Sequence, residues 1–505
     1  MIAEQAYLFR HALLRDAAYQ LQLPGDRARL HGLAILAIER LVGGRPPESP
    51  PLDAVDRPPF LPHASDPFAA DLAEHARLAL LAGVRRTYTR RGAAHSERHY
   101  QYAAAERLWL EHAELVRGAA RGESLRRAAV AANAVGRPRD AEPLLERALA
   151  VLRESGDRRL EGLALGSLAD LYKETARAEL AGRVYAESIA RYRAVADRCG
   201  EGIALGNLAG VYRDLGQVAR AEEGYDNALG IHRASGNRRY EGITLTNLGG
   251  LFLETGRAGL AEKSHLESIA ILREVGDRRF EGMALGNLAN VYKETRRFPE
   301  AERAYERALA INREIGNVRS ESFALGNLAS LLCDTRQFRR ALRTFRQALS
   351  LHREIGNRRG EGTALGNLAS LFEDLGRIRF AERAYRKALA ISREIRNRNS
   401  EGVLLGNMAS LLNRTGRVSM AESSLRQAVS IHQEVGNKRF EGGHLCDLAL
   451  LVLAQGGRED ACATWRRGAE VLRSMGDAPL LADMTTAMRA ACGKAGVPPF
   501  EEDPA

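Results

Sequence analysis

The sequence predicts an all-α protein, a solenoid of stacked antiparallel helix pairs. Three observations predict it: a 40-residue period that runs without insertion or deletion, apolar residues at helical offsets inside each period, and glycines recurring where helices must end. Taking Glu161, Glu201, Glu241, Glu281, Glu321, Glu361, Glu401 and Glu441 as position 1 of successive units, Leu recurs at 5 and 8 and Ala at 9, 21 and 28. An aromatic residue often stands at 12 and 25. Offsets of three, four and seven define one face of a helix, not a strand. Small alanines opposite large residues such as Leu288, Tyr292 and Tyr305 let two helices approach and interlock, so each unit is a helical hairpin.

The elements follow in chain order. Residues 1–42 read as two helices around a Pro-Gly turn, with the run YLFRHALLRDAAY at 7–19 as the first. Residues 43–67 hold eight prolines, which predicts an extended, mobile linker or binding loop. Residues 68–120 return to helical patterning, with Leu72, Ala76, Leu80, Ala105, Leu108, Trp109 and Leu115, and read as degenerate repeat-like helices. Residues 121–480 hold nine units. The first is degenerate but keeps Ala129, Gly136, Ala141 and Ala148; the last departs further, with Trp465 and Cys446-Asp447.

Within a unit, Gly at position 16 (Gly216, Gly256, Gly376, Gly416) ends the first helix. Gly at position 36 (Gly156, Gly236, Gly276, Gly316, Gly356, Gly436) ends the second. The Asp or Asn that follows, from Asp157 to Asn437, is an N-cap for the next first helix. One hairpin alone buries too little to offset the entropy of ordering it, so neighbours supply the core and the ends need caps. Residues 478–492 form a capping helix, and 481–505 comprise most of that cap and a polar tail.

The small-large signature, with its motif GNLAxxY…A…Y…AL…REIGN, resembles the tetratricopeptide repeat, lengthened by six residues over the 34-residue form. The 40-residue variant is similar to the repeats of spindle-orientation scaffolds and, more distantly, of kinesin light chains and bacterial signalling proteins. Near the N-terminus, FRHALLRDAAY…LP…R…LH…LA…AIE resembles the segment after the ATPase core in STAND-type bacterial regulators. The ATPase itself is absent: no G-x-x-x-x-G-K-[ST] is present, and Gly493-Lys494 is followed by Ala495.

Composition narrows the function. Hydrophobic content of 45% and charged content of 27% describe a folded, water-exposed chain. The five cysteines are scattered and form no C-x-x-C pair; with no basic leader and no long apolar run, they predict a cytoplasmic protein without a membrane span. Net charge is +10, and only six of the 74 basic residues are lysine. Residues 121–480 carry 57 cations and 46 acids, a surplus that reads as spread evenly over the repeats.

No motif for hydrolysis, zinc ligation or phosphate binding is present, so the sequence implies no enzyme, no cofactor and no metal. His95 and His99 stand one turn apart around Glu97, but a further ligand is missing. His232, His352 and His432 share one second-helix position without an acid, base or nucleophile placed to work with them.

The informative stripe is on the first helix. Positions 3, 7, 10 and 14 share a face distinct from the packed one. Position 3 is usually apolar, as in Met283 and Phe323. Position 7 is Asn in six successive units: Asn207, Asn247, Asn287, Asn327, Asn367 and Asn407. Position 14 is acidic in six, among them Glu254, Glu294, Asp334 and Asp374. The resemblance to tetratricopeptide repeats implies that first helices line a concave groove in which such asparagines bond the backbone of an extended peptide. The residues also fit another arrangement, with Asn bridging neighbouring repeats and each acid pairing with the Arg three residues on, as Glu294 with Arg297.

The expected partner is therefore a protein or extended peptide. A second reading, nucleic-acid binding, rests on Arg pairs at positions 38 and 39 (Arg158-Arg159, Arg238-Arg239, Arg278-Arg279, Arg358-Arg359) that stacking would align into a ridge. Interleaved acids and the lack of exposed stacking aromatics count against it.

Overall fold

The computed structural model describes residues 22–52, 61–175, 177–475 and 477–500. Regular structure among them is helical throughout: 23 α-helices and one 3-10 turn, Asp66–Phe68. They belong to two compact units, Met1–Val211 and Tyr212–Ala505. The first holds α1 (Pro24–Leu41), α2 (Ala69–Leu78), α3 (Ala82–Arg98), α4 (Tyr102–Leu115), α5 (Gly118–Ala134), α6 (Pro138–Ser155), α7 (Arg158–Glu174), α8 (Ala178–Ala194) and most of α9 (Arg198–Asp214). The second holds α10 (Val218–Ala234), α11 (Arg238–Glu254), α12 (Ala258–Glu274), α13 (Arg278–Glu294), α14 (Phe298–Glu314), α15 (Val318–Asp334) and α16 (Phe338–Glu354). It continues with α17 (Arg358–Asp374), α18 (Ile378–Glu394), α19 (Arg398–Arg414), α20 (Val418–Glu434), α21 (Lys438–Ala454), α22 (Arg458–Met475) and α23 (Ala478–Ala495).

From α5 to α22 the helices are 17 or 18 residues long and alternate as first and second members of hairpins. Each first helix starts at position 38, three residues ahead of the Glu that marks the unit, so the Arg pairs sit in its opening turn. The caps are as the sequence predicts. The side chains of Asp157, Asn237, Asp277, Asn317, Asn357 and Asn437 accept from the backbone N–H three residues on, at 2.9 to 3.4 Å. Helix ends turn through the left-handed region, at φ 72° for Gly216 and 71° for Gly276. Where the glycine is replaced, Ala196, Arg296, Arg336 and Arg396 adopt the same conformation at φ 53° to 57°.

Packing follows the small-large pattern. Ala at 9, 21 and 28 is buried against Leu and Tyr of the facing helix, as in the cluster of Ala289, Ala301, Tyr305, Leu309, Leu325 and Leu328. Glycine at position 2 permits a close crossing: a Cβ on Gly242 would lie 2.8 Å from Leu272. Each second helix also packs on the first helix of the next hairpin within its unit, so every hairpin from α11 to α22 is sandwiched. In the second unit, successive first helices also touch one another (α11 with α13, α13 with α15, α15 with α17), whereas successive second helices do not meet to a comparable extent. The first helices thus stand on the more closely spaced, inner side of that stack. The cap α23 packs on α21 and α22, and the buried Phe500 lies against Trp465 at 6.3 Å between rings.

The segment 7–19 falls outside the described residues. The proline-rich stretch is extended in its described parts and is anchored there. Leu52 is buried with Ala93 and Trp109, Arg90 donates to the Ser49 carbonyl, and Arg91 donates to Asp66 and to the Leu61 carbonyl. Glu39 of α1 accepts from Tyr88 and Arg45, tying this segment to α3.

Candidate peptide-binding face

The first helix presents two faces because its residues obey the 3.6 period. Positions 5, 8, 9 and 11 are buried in the hairpin core, while positions 3, 7, 10 and 14 lie toward the surface. Asn207, Asn247 and Asn287 are half-buried, and Asn327, Asn367 and Asn407 are exposed. Asn207 interacts with the hydroxyl of Tyr185 in the preceding hairpin. The carboxamides of the other five have no hydrogen-bond partner within the described chain. Bridging of repeats by these asparagines is therefore confined to Asn207. Met283 and Phe323 are each 40% exposed on the same helices, with Phe323 edge-on to the His352 ring at 5.0 Å.

Position 10 is taken up by the fold. Its polar residues meet the hydroxyl of the tyrosine at position 25: Tyr185 donates to Asp170 and Tyr305 to Asn290, and Tyr385 lies 3.0 Å from Ser370.

The acids at position 14 divide into two sets. Glu254 lies 3.7 Å from Arg213 and Asp334 3.2 Å from Lys293, each cation standing at position 13 of the preceding unit. Glu174 accepts from Asn133 at 2.8 Å in the same 41-residue register, and Arg414 meets Glu373 with the signs exchanged. Position 13 is Leu253 before Glu294 and Cys333 before Asp374, so among the described residues these two exposed acids pair with no cation. Arg297 does not reach Glu294; it binds Glu262 of the preceding second helix at 2.9 Å and Glu300 at 3.4 Å.

The profile of the tetratricopeptide repeat family matches residues 201–274, 244–314 and 320–394. Residues 201–394 are tetratricopeptide repeats. Among solved structures the tetratricopeptide repeats here are similar to a Rap protein complexed with Competence and Sporulation Factor, with a TM-score of 0.51 at 14% identity over 74% of this chain and 99% of that one. The apo form of RapI aligns with a TM-score of 0.44 at 14% identity, over 55% of this chain and 99% of that one. Nearly identical TPR-like repeats from Podosopora anserina align at 0.33 and 17% identity, over 39% and 96%. The likeness to the Rap protein is one of fold. No curated protein matches the sequence.

Of the eight arginines expected to form a ridge at positions 38 and 39 of the tetratricopeptide repeats, four, Arg238, Arg239, Arg278 and Arg358, are paired with acids. Arg238 binds Glu241 at 2.6 Å and Glu274 at 3.0 Å; Arg278 binds Glu281 and Glu314; Arg358 and Arg398 repeat the pattern. Arg239 is held by Asp277 at 2.6 Å. Each of these arginines meets an acid 36 or 38 residues further on, a distance set by stacking, which a reading of adjacent residues does not reach.

The residues that sequence reasoning missed are those at the other end of these pairs. Glu at position 1, used only as a register mark, is buried at 1% to 6% exposure in seven units. Glu241 accepts from Arg233 of the preceding second helix at 2.9 Å as well as from Arg238. Burial works against its charge, but the two guanidiniums overcome that and hold the carboxyl below the usual range. The signal was present as an invariant Glu with Arg eight residues earlier, as in Arg273-Glu281 and Arg353-Glu361. Glu97, between His95 and His99, accepts from Trp109 and pairs with Arg127, so it is committed away from the two imidazoles. Among the described residues no group of three metal-ligating side chains occurs, and no helix is long and apolar enough to cross a membrane.

Proposed function

We propose that the protein is a non-enzymatic scaffold or sensor module that binds an extended peptide or protein segment along the inner face of the first helices, in a bacterial signalling or regulatory setting inside the cell. The observation that carries the reading is the run of five unpartnered carboxamides, Asn247 to Asn407, on helices that stand side by side. A carboxamide donates to one backbone group and accepts from another, so the row suits a ligand with unsatisfied N–H and C=O groups along its length. Helices packed at about 8 to 10 Å would meet every third residue of an extended chain that advances about 3.3 Å per residue. Met283 and Phe323 supply apolar contacts. The unpaired Glu294 and Asp374 select Lys or Arg on the ligand, about six residues apart by the same spacing. The Rap protein, which shares the fold, was crystallised with a bound factor.

The test is a randomised extended-peptide library screened against the full chain, followed by the triple variant Asn287→Ala, Asn327→Ala, Asn367→Ala. Each lost hydrogen bond should cost about 0.5 to 1.5 kcal/mol of binding. The melting temperature should hold, because Ala is the better helix former and no intrachain bond is broken. A large fall in melting temperature with unchanged affinity would defeat the proposal.

A further inference from the structure

The positive surplus is not spread along the repeats. Two consecutive second helices hold most of it: α16 carries five cations and one acid, and α18 five cations and two acids. On either side, α14 has three cations against four acids and α20 one against two, and α10 and α12 are likewise net negative. Most arginines at the seams between hairpins have an acid; on α16 and α18 many do not. Arg339, Arg343, Arg346, Arg379, Arg383 and Lys387 are exposed and, among the described residues, make no ion pair or hydrogen bond.

The cause is local. In four other seams an Arg at position 17 binds the Glu at position 22 of the preceding second helix: Arg177 with Glu142, Arg257 with Glu222, Arg297 with Glu262 and Arg417 with Glu382. Position 22 of α16 is Leu342, so Arg377 also lacks its acid. Glu382 pairs with Arg386 and Arg417 and leaves its neighbours unmatched; an open hollow runs beside it, lined by Arg379, Arg383, Arg386, Lys387 and Ala390.

We infer that the outer face of α16 and α18 docks an acidic segment of a protein partner, rich in Asp and Glu, independently of the inner face. Seven uncompensated cations on one surface repel one another and lower stability, and a carboxylate-bearing ligand relieves that repulsion. Guanidiniums recur at about one per helical turn, 5.4 Å, which matches the spacing of like-facing carboxylates on an acidic helix or strand, and their forked donors take a carboxylate in bidentate fashion. The extent of the patch selects this partner over a polynucleotide. Two helices of about 10 Å and some eight residues of length give a few hundred Å², below the roughly 600 to 1,000 Å² of even a single nucleic-acid-binding module. A longer polyanion would also run onto Glu302 and Glu306 of α14 and Glu422 of α20.

The experiment titrates the full chain with a labelled peptide of about twelve residues alternating Glu and Gly, its Gln counterpart, a DNA duplex of about 20 base pairs, and vesicles containing phosphatidylserine. The Glu peptide should bind about tenfold or more tighter than the Gln peptide, weakening by a similar factor between about 50 and 200 mM salt. The variant Arg343→Glu, Arg383→Glu, Lys387→Glu should lose that binding by about tenfold while its melting temperature holds or rises, since none of the three has an internal partner and the reversal relieves the repulsion. The control variant Arg303→Glu, Arg307→Glu on α14 should change it less than about twofold. Three results would overturn the inference: an equal loss in the control, no discrimination between the peptides, or tighter binding of duplex or vesicles that the α16 and α18 variant abolishes.

Discussion

At the scale of single residues, His265 shows how one exchange is accommodated by another. Other second helices carry an aromatic or Leu at position 25 facing Ala at position 9; here His265 faces Gly249, and a Cβ on Gly249 would lie 2.8 Å from the imidazole. The ring is completely buried, and neither nitrogen has a hydrogen-bond partner. Burial alone pushes its pKa down to about 4, and His112, His352 and His432 are lowered to about 4 chiefly for the same reason. The folded state therefore holds the neutral rings, while the unfolded chain takes up protons near 6.5. Stability from these groups is fully present above pH 6.5 and is lost as pH falls from there toward 4, at about 1.4 kcal/mol per unit and per histidine, or roughly 3 kcal/mol for each. Thermal melts should show the midpoint dropping between about pH 6.5 and 4.5, ahead of most carboxylate protonation. The pair Gly249→Ala with His265→Tyr restores the Ala169 and Tyr185 arrangement of the earlier hairpin and should flatten part of that drop. An unchanged pH profile in the pair would show that His265 titrates freely.

At the scale of elements, what was legible in the sequence is what a helix decides within its own length. Asn357 caps because it accepts from Gly360, three residues away, and Gly276 ends a helix because it alone takes φ 71° without steric cost; both are written in adjacent residues. The surface was harder to read. Glu294 with Arg297 satisfies the spacing rule for a helix pair, yet α13 ends at Glu294 and Arg297 turns to Glu262 instead. Glu254 and Asp334 belong to the expected ligand face, yet part of their charge is used in holding hairpins together. The seams depend on the buried Glu at position 1. Removing Glu241 strips acceptors from Arg233 and Arg238 together and leaves a gap in the crossing of α10 and α11 with the next turn. Glu241→Ala should cost about 2 kcal/mol or more, whereas Arg238→Ala, whose head is exposed, should cost clearly less. Urea denaturation of the two variants checks the ratio; equal losses would mean that the Glu serves no junction.

At the scale of the molecule, period and architecture were legible because the 40-residue frame never slips, whereas the distribution of charge was not. Averaged along the chain the surplus is about one per repeat, and only the structure shows that many seam arginines are matched while, among the described residues, six of the ten cations of α16 and α18 are not. The same nearest-neighbour logic predicts which deletions the second unit tolerates. Removing residues 318–357 takes out α15 and α16 whole and joins Asn317 to Arg358, a junction of the same kind as the original. Asn317 then caps α17 in place of Asn357, and Arg313 meets Glu361 in place of Glu321. Lys293 at position 13 faces Asp374 at position 14, and Arg377 gains Glu302 at position 22, so the seam is complete. Because stability in such stacks is a sum of hairpin and neighbour terms, this variant should fold with helix content lowered only in proportion. Removing residues 338–357 instead deletes α16 alone and leaves Leu325, Leu328, Ala329 and Leu332 of α15 without the second helix that covers them. That variant exposes an apolar face and should aggregate or melt far lower. Circular dichroism with size-exclusion chromatography distinguishes the two. If both deletions were tolerated equally, the hairpin would not be the unit of stability, and the matched seams described between α11 and α22 would carry little of the folding energy.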